Sequence, residues 1–237
     1  MTPALGFGSS DGTSSNVHEQ ITRDALGNVL SEANLRVVVD ANLAQDKSGS
    51  PGLAEARRHF GEEHITSSLR FIEREKTRAL NYACESDTDG QLRGQALAHF
   101  GELLHSVQDF YSRSNYLELM FTNSSFKNDP YSVPLVDWQK VPDGYPGLET
   151  FRAGKAETVS FVKDSATTEG GKKMVSGGVS YFQVAKDLAV RESQRQWNLF
   201  ETMIRNRCGA RAAAVIAALK QASPEAAKPP ADKGDDD

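Results

Sequence analysis

The chain has few cysteines and no long apolar run, and both absences limit what it can be. Its 237 residues include two cysteines, Cys84 and Cys208, which are too few for a disulfide framework. Two cysteines leave open one bridge or two buried thiols, and we expect free thiols because a small buried cysteine packs as an apolar residue. No apolar stretch reaches the roughly 18 residues that a membrane span needs.

An excess of basic residues is also missing. The formal net charge is −5, and since phosphate backbones favour a basic surface, we expect no nucleic-acid partner. A basic start followed by an apolar segment is absent as well, so no signal peptide is visible. We therefore expect a cytoplasmic protein or a mature secreted chain that has lost its signal.

Composition divides the chain into three parts. Residues 1–15 are rich in Gly and Ser and predict an irregular lead-in. Residues 16–221 carry apolar side chains at helical spacing and predict a single all-helical, metal-binding domain. Residues 222–237 hold mainly Pro, Ala, Lys and Asp, which bury too little to offset their ordering entropy, and predict a disordered tail.

Helical spacing and capping residues predict five helical regions, which follow residues 15 or 16, 31, 52, 87 or 89, and 179. The third region is expected to bend near Gly61, and Gly209 is expected to divide the last. Residues 122–147 contain four prolines and predict a long ordered loop without a helix. Residues 164–178 predict a second irregular connection.

All five histidines lie in the first 105 residues, which suggests one polar site in the N-terminal half. The strongest local pattern is His105-Ser-Val-Gln-Asp109, because side chains four apart share one face of a helix. That spacing suits two ligands of one metal ion, and it equally suits a hydrogen-bonded pair on a partly solvated face. The helix is apolar around most of its girth, so we expect it to be buried and the pair to need a cation.

Other polar residues carry weaker patterns. His64 and His99 have no motif and are predicted to be structural or solvent-exposed. Glu102 shares the face of His105 and is predicted to support a metal ligand from outside. A charge run predicts a solvated helix face, and it consists of Glu62, Glu63, Arg70, Glu73, Arg74, Glu75 and Lys76.

Several segments together resemble the heterokaryon-incompatibility Het-C family. ALAHFGELLHSVQDFYSRSNYLEL is similar to the core motif of that family, and VHEQITRDAL is similar to its start. ANLAQD and ARRHF fit its Asn-x-x-x-Asp and His-Phe elements, and FVKDSATTEG resembles a Lys-Asp motif before its last helices. The resemblance spans roughly residues 16–205. Het-C proteins resemble, more distantly, the zinc-dependent phospholipases C and the zinc nucleases.

The resemblance implies an all-α fold, a helical bundle of the zinc-dependent phospholipase C type with residues 122–147 as a long irregular loop insertion. It implies five metal ligands, which are His18, Asp46, His59, His105 and Asp109. This set of imidazoles and carboxylates suits a hydrolytic zinc site. Asp109 would also be catalytic, bridging ions or orienting the reacting groups.

The same comparison assigns three further positions. Glu118 falls at the spacing of a residue that orients a ligand or acts as a base. Asn115 stands near a histidine of the phospholipases and is expected to support the site from outside. Arg113 replaces a histidine of the Het-C motif, so a third ion lacks its ligands, and we expect one or two ions of zinc or of another divalent metal.

These expectations lead to a metal-dependent phosphodiester hydrolase that acts on phospholipid head groups, with a phospholipid or membrane surface as its partner. The aromatic residues of 122–147 would contact lipid or pack the loop onto the domain. One alternative is a non-catalytic, metal-stabilised module of recognition or incompatibility, which the missing third-site ligands favour. A second is a zinc nuclease, which the negative net charge disfavours.

Overall fold

A computed structural model describes residues 16–47, 57–61, 65–141, 143–152 and 155–221. Within these ranges the chain is mostly helical and contains no β-strand, which confirms the predicted all-α class. The predicted lead-in 1–15 and tail 222–237 lie outside the described residues, and so does His64.

The helices are numbered here in chain order. They are α1 (Val17–Leu26), α2 (Glu32–Ala44), α3 (Ile65–Ala83), α4 (Gly90–Arg113), α5 (Tyr116–Met120), α6 (Ser124–Asn128), α7 (Ala156–Val159), α8 (Tyr181–Arg207) and α9 (Ala212–Gln221). Short 3-10 turns cover Gln45–Lys47, Pro130–Ser132, Trp138–Lys140, Ser176–Gly178 and Gly209–Arg211. None of these helices combines the length and the apolar character that crossing a bilayer requires.

Side-chain caps fix the starts of the main helices, as their sequences predict. Asn16, Ser31 and Asp89 each accept a hydrogen bond from a backbone N–H in the first turn of the helix that follows. Ser180 forms a reciprocal capping box with Gln183 at the start of α8. Each cap satisfies a backbone donor that the first helical turn leaves without an intrahelical partner.

Helix α4 lies at the centre of the bundle and packs against α2, α3 and α8. It is buried along nearly its whole length after its first turn. A side chain at Gly101 would place Cβ within 2.3 Å of the Val38 carbonyl oxygen, so glycine allows the close contact of α4 with α2. Because α4 is central, the polar residues of its last turns are held inside the protein.

The two cysteines form a disulfide, so the prediction of free thiols is wrong. Cys84 directly follows α3, Cys208 caps the end of α8, and their Cα atoms are 5.2 Å apart. The two residues are 124 positions apart in sequence. Their pairing depends on where two packed helices end, which local sequence patterns do not show.

The segment 122–147 contains short helical pieces, so the prediction of a loop without a helix is wrong in this respect. The side chain of Asn123 accepts from the N–H of Ser125 and starts α6, and two 3-10 turns follow. Prolines break long helices but allow such short turns, and Pro130 occupies the first position of one of them.

Most aromatic side chains of this segment pack it onto the domain. The indole of Trp138 lies 5.1 Å from the ring of Phe110, and Phe126 and Tyr145 are partly buried against the core. Tyr131 is 47% exposed. Of the four aromatics considered for lipid contact, Tyr131 is therefore the one with a large exposed surface.

A candidate metal centre

Five side chains from separate parts of the chain meet in the interior. His18 comes from α1, Asp46 from the 3-10 turn after α2, and His59 from the turn before α3, while α4 supplies two residues. Those two are His105 and Asp109. Each of the five side chains is at most 10% exposed. The structure thus brings together all five predicted ligands.

The carboxylate of Asp109 is central, and its two oxygens face different histidines. Oδ2 lies 2.7 Å from His59 Nδ1 and 3.3 Å from His105 Nε2. Oδ1 lies 3.3 Å from His18 Nε2. His105 Nε2 is also 2.9 Å from His59 Nδ1 and 3.7 Å from Asp46 Oδ1. Ligand atoms this close, within 4.8 Å of one another in each group of three, can share one cation.

His59 reaches the centre because the chain turns sharply at the next residue. Phe60 has a φ of 48°, a left-handed conformation that is uncommon for a residue other than glycine. Its ring is fully buried and packs edge-on against Phe110, 5.3 Å away. Packing of this kind holds a strained backbone in place, as is often found at functional sites.

Two amide side chains fix the tautomers of the central histidines. Asn42 Oδ1 lies 3.1 Å from His105 Nδ1, and Gln108 Oε1 lies 2.7 Å from His18 Nδ1. Because an amide oxygen only accepts, each Nδ1 must carry a proton. The Nε2 atom of each neutral ring therefore points its lone pair toward Asp109, as metal coordination requires.

The orientation of these amides is set in turn by buried hydrogen bonds. Gln108 Nε2 donates to the hydroxyls of Thr22 and Ser193, at 3.1 Å each. Asn42 Nδ2 donates to Gln108 Oε1 at 3.1 Å. These two amides were not predicted as functional residues, although Gln108 lies inside the His-x-x-x-Asp motif and Asn42 is the Asn of ANLAQD. Their closeness in sequence to the candidate ligands was the signal that could have identified them.

The protonation states at the centre favour a cation. Burial raises the pKa of Asp109, but the charges of Arg113 and His105 outweigh it and hold that pKa well below its usual range. Burial lowers the pKa of His105 to about 4, and the charge of His18 acts in the same direction. At neutral pH Asp109 is thus an anion and His105 is neutral, which are the forms that bind metal.

The pKa of His18 is shifted in the opposite direction from that of His105. Burial lowers its pKa, but the hydrogen bond and charge of Asp109, together with the charge of Asp46, outweigh this effect and raise it overall. The raised pKa means that Asp109 and Asp46 favour positive charge at His18, on the side of the ring where a cation would bind between His18 and Asp109.

The residues present fit zinc. The donor set is imidazole nitrogen and carboxylate oxygen without thiolate, as in hydrolytic zinc sites. Asp46 Oδ1 is buried and accepts no hydrogen bond from the part of the chain that the structure describes. A buried carboxylate oxygen without a donor is costly, and a bound cation would remove that cost.

Glu102 does not lie at this centre. It contacts His99 Nδ1 at 3.3 Å, and the same nitrogen is 2.8 Å from Glu75 Oε2 on α3. These three residues form a separate cluster, because α3 packs on that side of α4. His99 is buried, which agrees with the structural one of its two predicted alternatives. The side chain of Glu75 is only 1% exposed, so the prediction of a solvated helix face is wrong for this residue.

Asn115 and Glu118 also lie away from the five ligands. The Asn115 side chain donates to a carbonyl and accepts from an N–H within residues 147–149, both at 2.8 Å. Glu118 pairs with Lys163 at 3.1 Å and Lys173 at 3.5 Å. The backbone leaves α4 in an extended conformation at Ser114, which directs the following residues away from the centre.

A further buried carboxylate lies beside the last turn of α4. The N–H of Lys163 donates to the Ser112 carbonyl at 2.8 Å and so places Asp164 next to that turn. Asp164 is 5% exposed, and burial raises its pKa to about 7, with the charge of Asp109 adding to this effect and that of Arg113 opposing it. Asp164 belongs to the Lys-Asp motif of FVKDSATTEG, which predicted no role for it.

The fold and the cluster thus define an all-helical protein with a buried group of histidines and aspartates that could hold a metal ion. Residues 13–128 match a family model described as the VWA7 N-terminal domain, to which the chain is similar over just under half of its length. That match contains all five candidate ligands and ends before Asp164. No curated protein and no solved structure gives a significant match to the chain.

Proposed function

We propose that this chain is a zinc-dependent phosphodiester hydrolase with a helical bundle of the zinc-dependent phospholipase C type. The observation that carries this proposal is the convergence of three imidazoles and two carboxylates on one buried point. The fixed tautomers also support the proposal, because two buried amide side chains orient the Nε2 atoms of His18 and His105 toward Asp109. The resemblance to the Het-C family supports the reaction type.

Each residue has a distinct part in this proposal. Asp46, His59, His105 and Asp109 would hold one ion, and His18, which faces the other oxygen of Asp109, would be available to a second. Bound zinc would supply polarisation of the phosphoryl oxygen and a hydroxide available near neutral pH. Arg113, whose Nε lies 4.0 Å from Asp109 Oδ2, places a fixed positive charge beside the centre that suits a phosphodiester anion.

We further propose phospholipid head groups as the substrate class. This choice rests on the resemblance to the Het-C family and through it to the phospholipases C. The net charge of −5 supports a lipid over a nucleic acid. The exposed ring of Tyr131 offers one aromatic contact for a membrane surface.

Release of phosphocholine from phosphatidylcholine vesicles by the zinc-loaded chain tests this function. The wild type should turn over substrate and His105→Gln should not, while His99→Gln, on the same helix but in the other cluster, should keep activity. No release by zinc-loaded wild type overturns the lipase function. Degradation of single-stranded DNA in a parallel assay would replace it with a nuclease.

A second candidate is a non-catalytic module that zinc stabilises. It is favoured by the burial of all five ligands, which leaves little surface for a substrate. A surface groove of about 360 Å³, lined in part by Asp24, Tyr131 and Lys186, includes none of them. This candidate predicts that chelation lowers the melting temperature while neither lipid nor nucleic acid is hydrolysed.

A further inference from the structure

We propose that Asp164 is a ligand of a second divalent cation, which lies between Asp164, His18 and Asp109. This inference rests on the proposed function, because it extends the same centre. It assigns a metal-binding role to a residue outside the matched N-terminal region. The chain lacks the histidines that would hold a third ion, and Asp164 would complete the ligands of a second one.

The first support is that the two carboxylate oxygens of Asp109 face different ligands. Its Oδ2 faces His59 and His105, whereas its Oδ1 faces only His18 among the five ligands, at 3.3 Å. A carboxylate whose oxygens face two ligand groups suits a bridge between two ions, as in two-metal hydrolytic sites. The second position then has one imidazole and one carboxylate oxygen and needs a further ligand.

The second support is the rigid placement of Asp164 at this end of α4. The backbone N–H of Lys163 donates to Ser112, and its buried amine donates to the carbonyls of Ser114 and Phe161, at 2.7 Å each. The residues after Asp164 fold back closely, since a Cβ on Gly171 would come 1.9 Å from the Ser165 carbonyl oxygen. A ligand on so fixed a segment needs little ordering when an ion binds.

The third support is that one oxygen of the Asp164 carboxylate has no hydrogen-bond donor, although the side chain of Ser112 forms a hydrogen bond with this carboxylate. Its Oδ1 is buried and accepts no hydrogen bond from any described residue. The amine of Lys163 pairs with Glu118, and the positive charge of Arg113 acts on Asp109 as well as on Asp164. A buried acceptor without a donor is costly, and a cation would satisfy it.

The cluster of Glu75, His99 and Glu102 does not need a cation. Arg74 donates to Glu75 Oε1 at 2.9 Å and Arg78 does so at 3.3 Å, so the acidic groups there are already balanced by positive charge. Neither Glu75 nor Glu102 has a buried oxygen without a hydrogen-bond partner among the described residues, whereas Asp164 has one.

Calorimetric titration of the zinc-free full chain with zinc tests the proposal. The wild type should bind two equivalents and Asp164→Asn one, with the affinity of the remaining equivalent changed by less than about threefold. Glu201→Gln is the matched control, because Glu201 is a buried carboxylate that pairs with Arg205 and Lys220, and it should keep both equivalents. Far-UV circular dichroism checks folding, and Asp164→Ser replaces Asp164→Asn if the latter does not fold.

The outcomes separate this inference from the function on which it rests. Two equivalents in both wild type and Asp164→Asn, with equal affinities, overturn the role of Asp164 and leave the first site intact. A single equivalent in the wild type does the same. If the wild type binds no zinc at all, the proposed function fails together with the inference.

Discussion

Gln108 Oε1 lies 2.7 Å from the Nδ1 of His18, a residue ninety positions earlier in the chain. This hydrogen bond holds the imidazole so that Nε2 faces Asp109. The bond therefore links the orientation of one candidate ligand to the helix that supplies two others. Its contribution to metal binding can be measured directly.

Gln108→Leu should weaken zinc binding about 10–100-fold, because it removes the acceptor that fixes the tautomer of His18. The measurement is calorimetric titration of the zinc-free chain. Ser193→Ala is the control, since it removes a hydrogen bond to the other end of the same amide and leaves the contact with His18 in place. Equal affinities of Gln108→Leu and wild type would contradict the role of Gln108 in orienting His18.

His105→Gln should abolish the first zinc equivalent, because His105 Nε2 is close to His59, Asp46 and Asp109 at once. His99→Gln makes the same chemical change six residues earlier on α4 and should leave the zinc affinity unchanged within about threefold. Metal content after dialysis gives the result for both variants. Loss of zinc in both, or in neither, would count against the centre described here.

Zinc binding should weaken as the pH falls and should release protons. The pKa of His18 is raised by Asp109 and Asp46 despite its burial, so a proton competes with the cation for its Nε2 atom. Titrations at one pH in buffers of different ionisation enthalpy count the released protons. A zinc affinity that does not change between about pH 8 and pH 6 would contradict the inclusion of His18 among the ligands.

The cluster around His99 should stabilise the fold in a pH-dependent way. Burial lowers the pKa of His99, but Glu102 and Glu75 outweigh it and raise it from 6.5 to about 9. Because the folded pKa is the higher one, the stabilisation is complete below pH 6.5 and is lost as the pH rises through 9.

The stability difference between wild type and His99→Gln should therefore shrink by on the order of 3 kcal/mol over that range. Urea unfolding of the zinc-free proteins at a series of pH values measures it. Tyr82→Phe changes a ring that stacks on His99 at 5.6 Å without altering charge, and should keep the wild-type pH profile. A difference that stays constant with pH would refute the charged state of His99.

Reduction of the Cys84–Cys208 bond should destabilise the protein without removing the metal centre. The bond closes a loop of 124 positions, and its loss is expected to cost about 2–5 kcal/mol, or about 5–15 °C in melting temperature. Scanning calorimetry with and without reductant checks this, and the Cys84→Ser, Cys208→Ser variant should match the reduced wild type. An unchanged melting temperature would show that the two thiols are not paired in solution.

Sequence predicted the parts of the fold that local patterns encode. The caps at Asn16, Ser31 and Asp89 fixed helix starts because each satisfies nearby backbone donors. The disulfide was missed because the approach of two helix ends depends on tertiary packing. The burial of Glu75 was missed for the same reason, since its partner His99 lies on another helix.

The candidate site could also be predicted only in part from the sequence. The resemblance named five side chains that the structure brings together, while periodicity alone supported only His105 and Asp109. Glu102 lies on the expected helix but contacts His99, which also binds Glu75 of α3, and the spacing along α4 does not show which helix packs beside it. Asp164 carried no local signal beyond a Lys-Asp pair, since its burial results from the contact of Lys163 with Ser112.

Anomalous diffraction at the zinc edge, from crystals of the full chain grown with zinc, tests the central claim most directly. A peak should lie about 2.0–2.2 Å from His59 Nδ1, His105 Nε2 and an oxygen of Asp109. Crystals with zinc in excess and no peak among these three side chains would contradict it.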